Sequence, residues 1–408
     1  MIPAQIARLA LRNVLRQRLR TAITLAAIVF GVAGLILSGG FIHDTFFRLG
    51  EVIIHSQTGH LQLARAGFFS FGSRAPDRYV VERPEEVAQA LRARPEVADV
   101  LARVHFSGLL NNGRTDLAVI GEGVEPDREA ALGTSLRVTA GRALAGKDRR
   151  GAFVGQGLAD ALGLAPGAPV TLVAHTADGA MNTADFEVVG VFQSFSREYD
   201  ARAVRIPLAA AQELLGTRGA NLLVVSLART RDTAAAAQAA RAIGAARGQE
   251  VRTWHELSDF YDKTVRLYER QFGVLRLIIL VMVLLSVANS VNMSLFERVG
   301  EFGTMRALGD RGRRILALVT IEGALLGFAG AALGVAVGVV LAAAISAVGI
   351  PMPPPPNSNL GYTAAIRLVP SVIAGAFLTG WVAAILASIP PALRAARMPV
   401  VDALRQNV

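Results

Sequence analysis

The chain contains no cysteine, so no disulfide holds any part of it together and thiol chemistry is closed to it. Its six histidines are scattered at His43, His55, His60, His105, His175 and His255. No HExxH motif occurs and no two histidines stand at metal-ligand spacing, so no metal site is expected. A Gly-x-x-x-x-Gly-Lys-Ser/Thr loop is also missing, which rules out nucleotide binding through that device. Gly155-Gln156-Gly157 lacks the third glycine and the lysine, and reads as a turn ahead of a short Leu158–Leu162 helix. There is no Gly-x-Ser-x-Gly nucleophile elbow. No catalytic residues are assigned, and the chain is not expected to be an enzyme by itself.

What the chain has in abundance is long apolar runs. Thr21–Phe41 is free of charge, and a long, mostly polar stretch follows before Phe272–Phe296, Ile315–Gly349 and Val369–Pro391. About 20 apolar residues cross a bilayer, so the pattern predicts four spans with a whole domain inserted between the first and second. The expected division is a cytoplasmic segment at 1–20, spans at 21–44, 272–296, 315–349 and 369–391, and an external domain at 45–271. A cytoplasmic loop at 297–314, an external loop at 350–368 and a tail at 392–408 complete it. The first run is too long for a cleaved signal peptide and lacks a small-x-small cleavage site, so it reads as a retained anchor.

Charge orients the spans. Residues 1–20 hold Arg8, Arg12, Arg16, Arg18 and Arg20 and no acid, and the 297–314 loop holds Arg298, Arg306, Arg311, Arg313 and Arg314. The short loop on the other side has only Arg367. Basic residues collect in short cytoplasmic loops, which places both termini and the 297–314 loop inside and the large domain outside. The net charge of +10 resolves the same way: residues 45–271 hold 27 basic and 26 acidic residues, so the excess lies on the cytoplasmic segments. No nucleic-acid partner is implied.

Arg8, Arg12, Arg16 and Arg20 recur every four residues, the mark of a basic amphipathic helix in the headgroup layer or of a topology signal alone. The external domain mixes β-rich runs (59–63, 117–120, 169–174, 186–192, 222–227) with helical stretches at Glu85–Arg94, Leu208–Leu215 and Thr233–Arg247. The alternation is too irregular for a doubly wound sheet. The fold class expected is therefore a four-helix membrane protein, one span and then three, with a large α+β domain of two lobes.

Within the spans, Gly323, Gly327, Gly330, Gly334 and Gly338 form a small-residue stripe suited to close helix packing. Asn289, Asn292 and Glu322 are polar groups at membrane depth, expected to meet as an interhelical hydrogen-bond cluster. The loop Glu297–Gly309 predicts a short helix over 301–308, bounded by Gly300 and Gly309, that shows Phe302, Met305 and Leu308 on one side for a partner's groove. Phe41, Phe46, Phe47, Phe272 and Leu275 cluster where spans one and two meet the external side. They form an apolar cargo contact or an interfacial aromatic belt.

These residues carry a resemblance. Ser294, Glu297, Arg298, Glu301, Gly303, Arg306, Ala307, Leu308 and Gly309, then Glu322 and the glycine stripe, resemble the permease signature of the type VII ABC transporters (the FtsX-like and MacB-like superfamily). Gly300 stands where that pattern commonly has arginine. The ending Pro391-Ala392-Leu393-Arg394, with Pro399 and Asp402-Ala403-Leu404-Arg405, fits the same family. Gly59–Leu63 and Val188–Phe192 leading to Glu198-Tyr199-Asp200 are similar to the lipoprotein-releasing type.

The resemblance implies a mechanical relay in a bacterial inner membrane, with the large domain in the periplasm. A separate ATPase subunit would bind ATP and Mg and dock on Glu297, Arg298, Glu301, Phe302, Met305, Arg306, Leu308 and Gly309. The chain itself would carry no cofactor and would pair with a second permease, identical or related. Lipoproteins or lipids would be the cargo. Efflux of peptides or amphiphilic drugs, and signalling to an envelope enzyme without transport, are the alternatives.

Overall fold

The computed structural model describes residues 10, 12, 13, 16, 18–72, 76–132, 135–176, 178–353 and 361–399. Most of the amphipathic helix expected over residues 1–20, and the motif at 402–405, lie outside the described residues. The chain divides into two compact units. One comprises Met1–Phe46, Val265–Pro351 and Thr363–Val408, the other Phe47–Thr264 and Met352–Tyr362.

The four apolar runs form four long helices: span 1 (Arg18–Ile53), span 2 (Asp259–Glu297), span 3 (Gly312–Val348) and span 4 (Pro370–Arg397). Each is long and apolar enough to cross a membrane. They overrun the expected boundaries. Hydropathy marks the bilayer-length core of a helix, whereas the helix itself ends only where turn chemistry stops it. The stretch DKTVRLYERQ ahead of residue 272 contains neither glycine nor proline, so span 2 begins at Asp259 rather than at 272. Span 4 continues through Pro390 and Pro391 to Arg397, so the segment expected as a tail from 392 starts out helical.

The glycine stripe of span 3 faces two neighbours in turn. A Cβ on Gly323 would stand 2.6 Å from the Ser388 Cβ, and one on Gly327 2.5 Å from that of Ala384, both on span 4. Further along, a Cβ on Gly330 would come within 2.9 Å of Ile28, on Gly334 within 2.7 Å of Val32, and on Gly338 within 3.1 Å of Ile36, all on span 1. Backbones approach this closely only where side chains are absent.

The second unit is built on ten strands: β1 (Leu61–Arg65), β2 (Val97–Asn111), β3 (Asp116–Val124), β4 (Arg137–Gly141), β5 (Gly151–Gly155), β6 (Pro169–His175), β7 (Met181–Gln193), β8 (Ala203–Pro207), β9 (Leu222–Leu227) and β10 (Gln249–Thr253). They pair in the order β10-β1-β9-β2-β3-β8-β5-β7-β4, with β6 joining β2 and β7. The β3–β8 and β5–β7 pairs are parallel and the others antiparallel. β2 is the long member. Its first half pairs with β9, and the second half with β3 and β6. Two apolar clusters flank it, one around Phe106, Leu172, Phe186 and Ile206, the other around Leu61, Leu91, Val100 and Leu223. Two lobes were expected. The strands form one hydrogen-bonded sheet in which β2 is shared, with β6 closing from β2 to β7 and an apolar cluster toward each end.

This unit also buries charge. Arg103 and Arg205, each about 1% exposed, pair with Glu129, and Arg205 Nε also lies 2.9 Å from Glu122. Both arginines donate to the turn Ile54–Thr58 that follows span 1, Arg103 to the Gln57 carbonyl and Arg205 to that of Ser56 at 3.1 Å. Cations at a helix C-terminus satisfy carbonyls that have no partner within the helix. Burial alone would raise the Glu122 carboxyl, but Arg205, with His105 and Arg103, outweighs it and brings the group down to about 2.

Candidate functional site

The site is the loop between spans 2 and 3. Its helix covers Val299–Ala307, two residues earlier than the spacing predicts. Leu308 N–H closes on the Thr304 carbonyl and Asp310 N–H on that of Met305, while Gly309 takes a φ of +95°. A side chain at Gly309 would strain that turn.

The helix does not present its aromatic outward. Phe302 is 4% exposed and belongs to the core of the membrane unit, with Met305 packed against it. Val299, Phe302, Gly303 and Arg306 follow the helical period onto the inner side, leaving Glu301, Thr304, Ala307 and Leu308 outside. Leu308, 84% exposed, is the one large apolar side chain of the three expected that is open to a partner.

A chain of charge fixes this helix to span 3. Arg298 Nη1 donates to both Glu322 oxygens at 3.0 and 3.1 Å, and its Nε to Glu301 at 2.9 Å. The Arg298 guanidinium also lies 5.1 Å from the Phe302 ring centre. Asn13 donates to Glu322 at 2.7 Å, and Arg16 to Glu301 at 3.2 Å. The inner pair is largely buried, so losing one partner strands a charge. The outer Arg16–Glu301 pair is exposed and worth little.

Glu322 therefore meets Arg298 and Asn13, not Asn289 and Asn292. Asn289 is exposed on span 2, and Asn292 borders a separate groove. Interhelical hydrogen bonds near this depth run instead between Thr24 and Ser290 and from the Trp381 indole to the Ala324 carbonyl. Asn13 lies among the arginines of the N-terminal stretch, where charge periodicity hides a single amide.

Residues 21–243 match the MacB-like periplasmic core domain family, more than half of the chain, and residues 273–400 match the FtsX-like permease C-terminal family. The chain belongs to the MacB-like periplasmic core domain family and continues into an FtsX-like permease region. An uncharacterized ABC transporter permease of Methanocaldococcus jannaschii is 23% identical to this permease over 233 residues, which is 54% of this chain and 55% of that protein. The match thus spans about half the length of the relative.

Two solved structures each align with about half of the chain. The periplasmic region of MacB from Actinobacillus actinomycetemcomitans aligns at 13% identity with a TM-score of 0.38, covering 52% of this chain and 95% of that one. The extracellular domain of the noncanonic ABC-type transporter YknZ from Gram-positive bacteria aligns at 16% identity with a TM-score of 0.35, covering 48% and 98%. The permease match accords with four helices long and apolar enough to cross a membrane.

The remaining candidates of the permease fall as follows. Phe46 packs edge-on to Tyr268 at 5.8 Å between ring centres, and Tyr268 stacks with Phe272 at 6.4 Å. Tyr268 was not foreseen, because it precedes the apolar run of span 2. Phe41 is half-buried, and Phe47 and Leu275 are exposed. Glu297, the last residue of span 2, is exposed. Arg306 donates to the carbonyls of Ala396 at 3.3 Å and Met398 at 2.7 Å, tying the loop helix to the end of span 4. Among the described residues, no group of acidic residues and histidines is placed to hold a metal ion.

Proposed function

We propose that this permease extracts lipoproteins or lipids from the outer leaflet of a bacterial inner membrane, driven by a separate ATPase that docks on Val299–Ala307. The observation that carries the reading is the clamp on that helix. Arg298–Glu322 ties it to span 3 and Arg306 ties it to span 4, so a push on its outer face reaches two spans without first being lost in a loose loop. Glu301, Thr304, Ala307 and Leu308 form the docking face. Arg298 and Arg306 hold the helix in place, and Gly309 lets the chain turn out of it.

ATP and Mg would be bound by the ATPase subunit. A second permease chain would complete the assembly, and the Phe46–Tyr268–Phe272 cluster would receive the apolar anchor of the cargo. The basic loops favour the cytoplasm for the docking face and the periplasm for the ten-stranded unit.

The test is co-purification of the tagged chain from native membranes in gentle detergent. Thr304→Arg with Leu308→Asp changes only exposed side chains and should abolish recovery of an ATPase while leaving the melting temperature of the permease unchanged. Undiminished recovery of the ATPase with this double variant would remove the docking face. A wild-type ATPase complex that brings an outer-membrane duct and no lipoprotein would turn the reading toward efflux.

A further inference from the structure

A groove of about 140 Å³ lies between the last turn of span 2, the loop helix and the last turns of span 4. Its floor is apolar: Leu295 and Val299 on one side, Pro391 and Ala395 on the other. Two sequence features open it. Gly303 and Ala395 are too small to fill the space, and Pro391 puts a compact ring into the helix wall. Phe296, 72% exposed, stands at its edge.

The rim is cationic. Arg306 and Arg394 both line the groove, and among the described residues no carboxylate does. Arg306 Nη1 is occupied by the carbonyls of Ala396 and Met398, which fixes the guanidinium in place. Among the described residues its other nitrogens make no hydrogen bond, and the exposed Arg394 makes neither a hydrogen bond nor an ion pair. An apolar slot with two such cations sits where spans 2 and 4 end. Basic pockets between transmembrane helices suit anionic headgroups, and their apolar floors suit an acyl chain.

We infer that this groove binds one anionic phospholipid of the surrounding bilayer. Its phosphate bridges Arg394 and Arg306, and the upper part of one acyl chain lies along Leu295, Val299, Pro391 and Ala395. The lipid is a resident of the permease and not its cargo: Phe296 is 24 residues along span 2 from Phe272, roughly 36 Å at helical rise. The site needs only that the spans sit in a membrane, and stands whether or not the extraction reading holds. Its consequence is that bilayer composition acts directly on the position of the loop helix, because the same groove touches Val299, Phe302, Gly303 and Arg306.

The full-length chain is delipidated in detergent and offered phosphatidylglycerol or phosphatidylcholine of the same chain length, with retained lipid counted by native mass spectrometry. Phosphatidylglycerol should be retained at least about fivefold more strongly, and Arg394→Gln should lower its retention by about fivefold. Ala395→Leu, which fills the slot and keeps both charges, should lower it comparably. Arg397→Gln, on the same helix outside the groove, should change it by less than twofold. Each variant is compared at an unchanged melting temperature.

Equal retention of the two lipids would overturn the site. So would full retention in Ala395→Leu, or an equal loss in Arg397→Gln, which would mark general surface electrostatics. Displacement of the lipid by millimolar inorganic phosphate would show an anion site with no lipid specificity, and would overturn it as well.

Discussion

At the scale of single residues, Glu322 is the group on which most depends. Its carboxylate receives Arg298 and Asn13 inside the membrane unit, so removing its charge leaves the largely buried Arg298 guanidinium with only the more exposed Glu301 as counterion. Glu322→Gln should destabilise the chain by about 3–5 kcal/mol, read as a fall in melting temperature in detergent. The paired change Arg298→Met with Glu322→Leu removes both charges and should recover most of that loss. If Glu322→Gln melts like the parent, the pair contributes nothing to the fold.

His60 allows a pH prediction in the other unit. It accepts the Leu227 N–H through Nδ1 at 3.1 Å, and Nε2 faces the Thr230 hydroxyl at 3.2 Å. Burial, with His55 beside it, lowers the imidazole to about 4, so the folded chain keeps it neutral where the unfolded chain would protonate it. This contribution is complete above the ordinary histidine value near 6.5 and is lost as pH falls from there toward 4. It amounts to at most about 3 kcal/mol. His60→Gln should flatten that part of the curve of melting temperature against pH, and an unchanged slope would show that His60 titrates normally.

At the scale of elements, the span 3 glycines make a graded prediction. Val32 stands 2.7 Å from where a Gly334 Cβ would be, whereas a Cβ on Gly375 of span 4 would meet no neighbouring element within 4 Å among the described residues. Gly334→Val should therefore cost about 1–3 kcal/mol by overpacking, and Gly375→Ala should be tolerated. Equal melting temperatures for the two would mean that span 1 moves aside freely.

The same scale shows what could be read from the chain beforehand. Spans, glycine stripe and loop helix were legible because apolar length, i+4 spacing and flanking glycines are local signals. Five strands were legible as well, since four of their runs are apolar with valine or isoleucine and the fifth, at 59–63, alternates leucine with polar residues. β8 was not, because Ala203–Pro207 carries Arg205 in its middle, and a buried arginine is intelligible only once Glu122 and Glu129 come to meet it. Phe302 was assigned to the wrong side for a related reason. Sequence periodicity gives the faces of a helix but not which face the protein covers, and that was settled by spans 2 and 4 closing over Val299 and Phe302. The partner of Glu322 was missed because Asn13 is 309 positions away.

At the scale of the whole molecule, β2 couples the two ends of the sheet. Because Val97–Asn111 pairs with β9 at one end and with β3 and β6 at the other, neither apolar cluster can be released while the other keeps its edge. Loosening one end withdraws hydrogen bonds from the strand that templates the next. Two separable lobes would melt with two midpoints. A sheet threaded by one shared strand should melt once, with circular dichroism and the fluorescence of Trp254 losing signal together. Hydrogen exchange should then find no partly open form in which Phe106 has lost protection and Val100 has kept it. Two resolved midpoints would show β2 to be a seam along which the sheet divides.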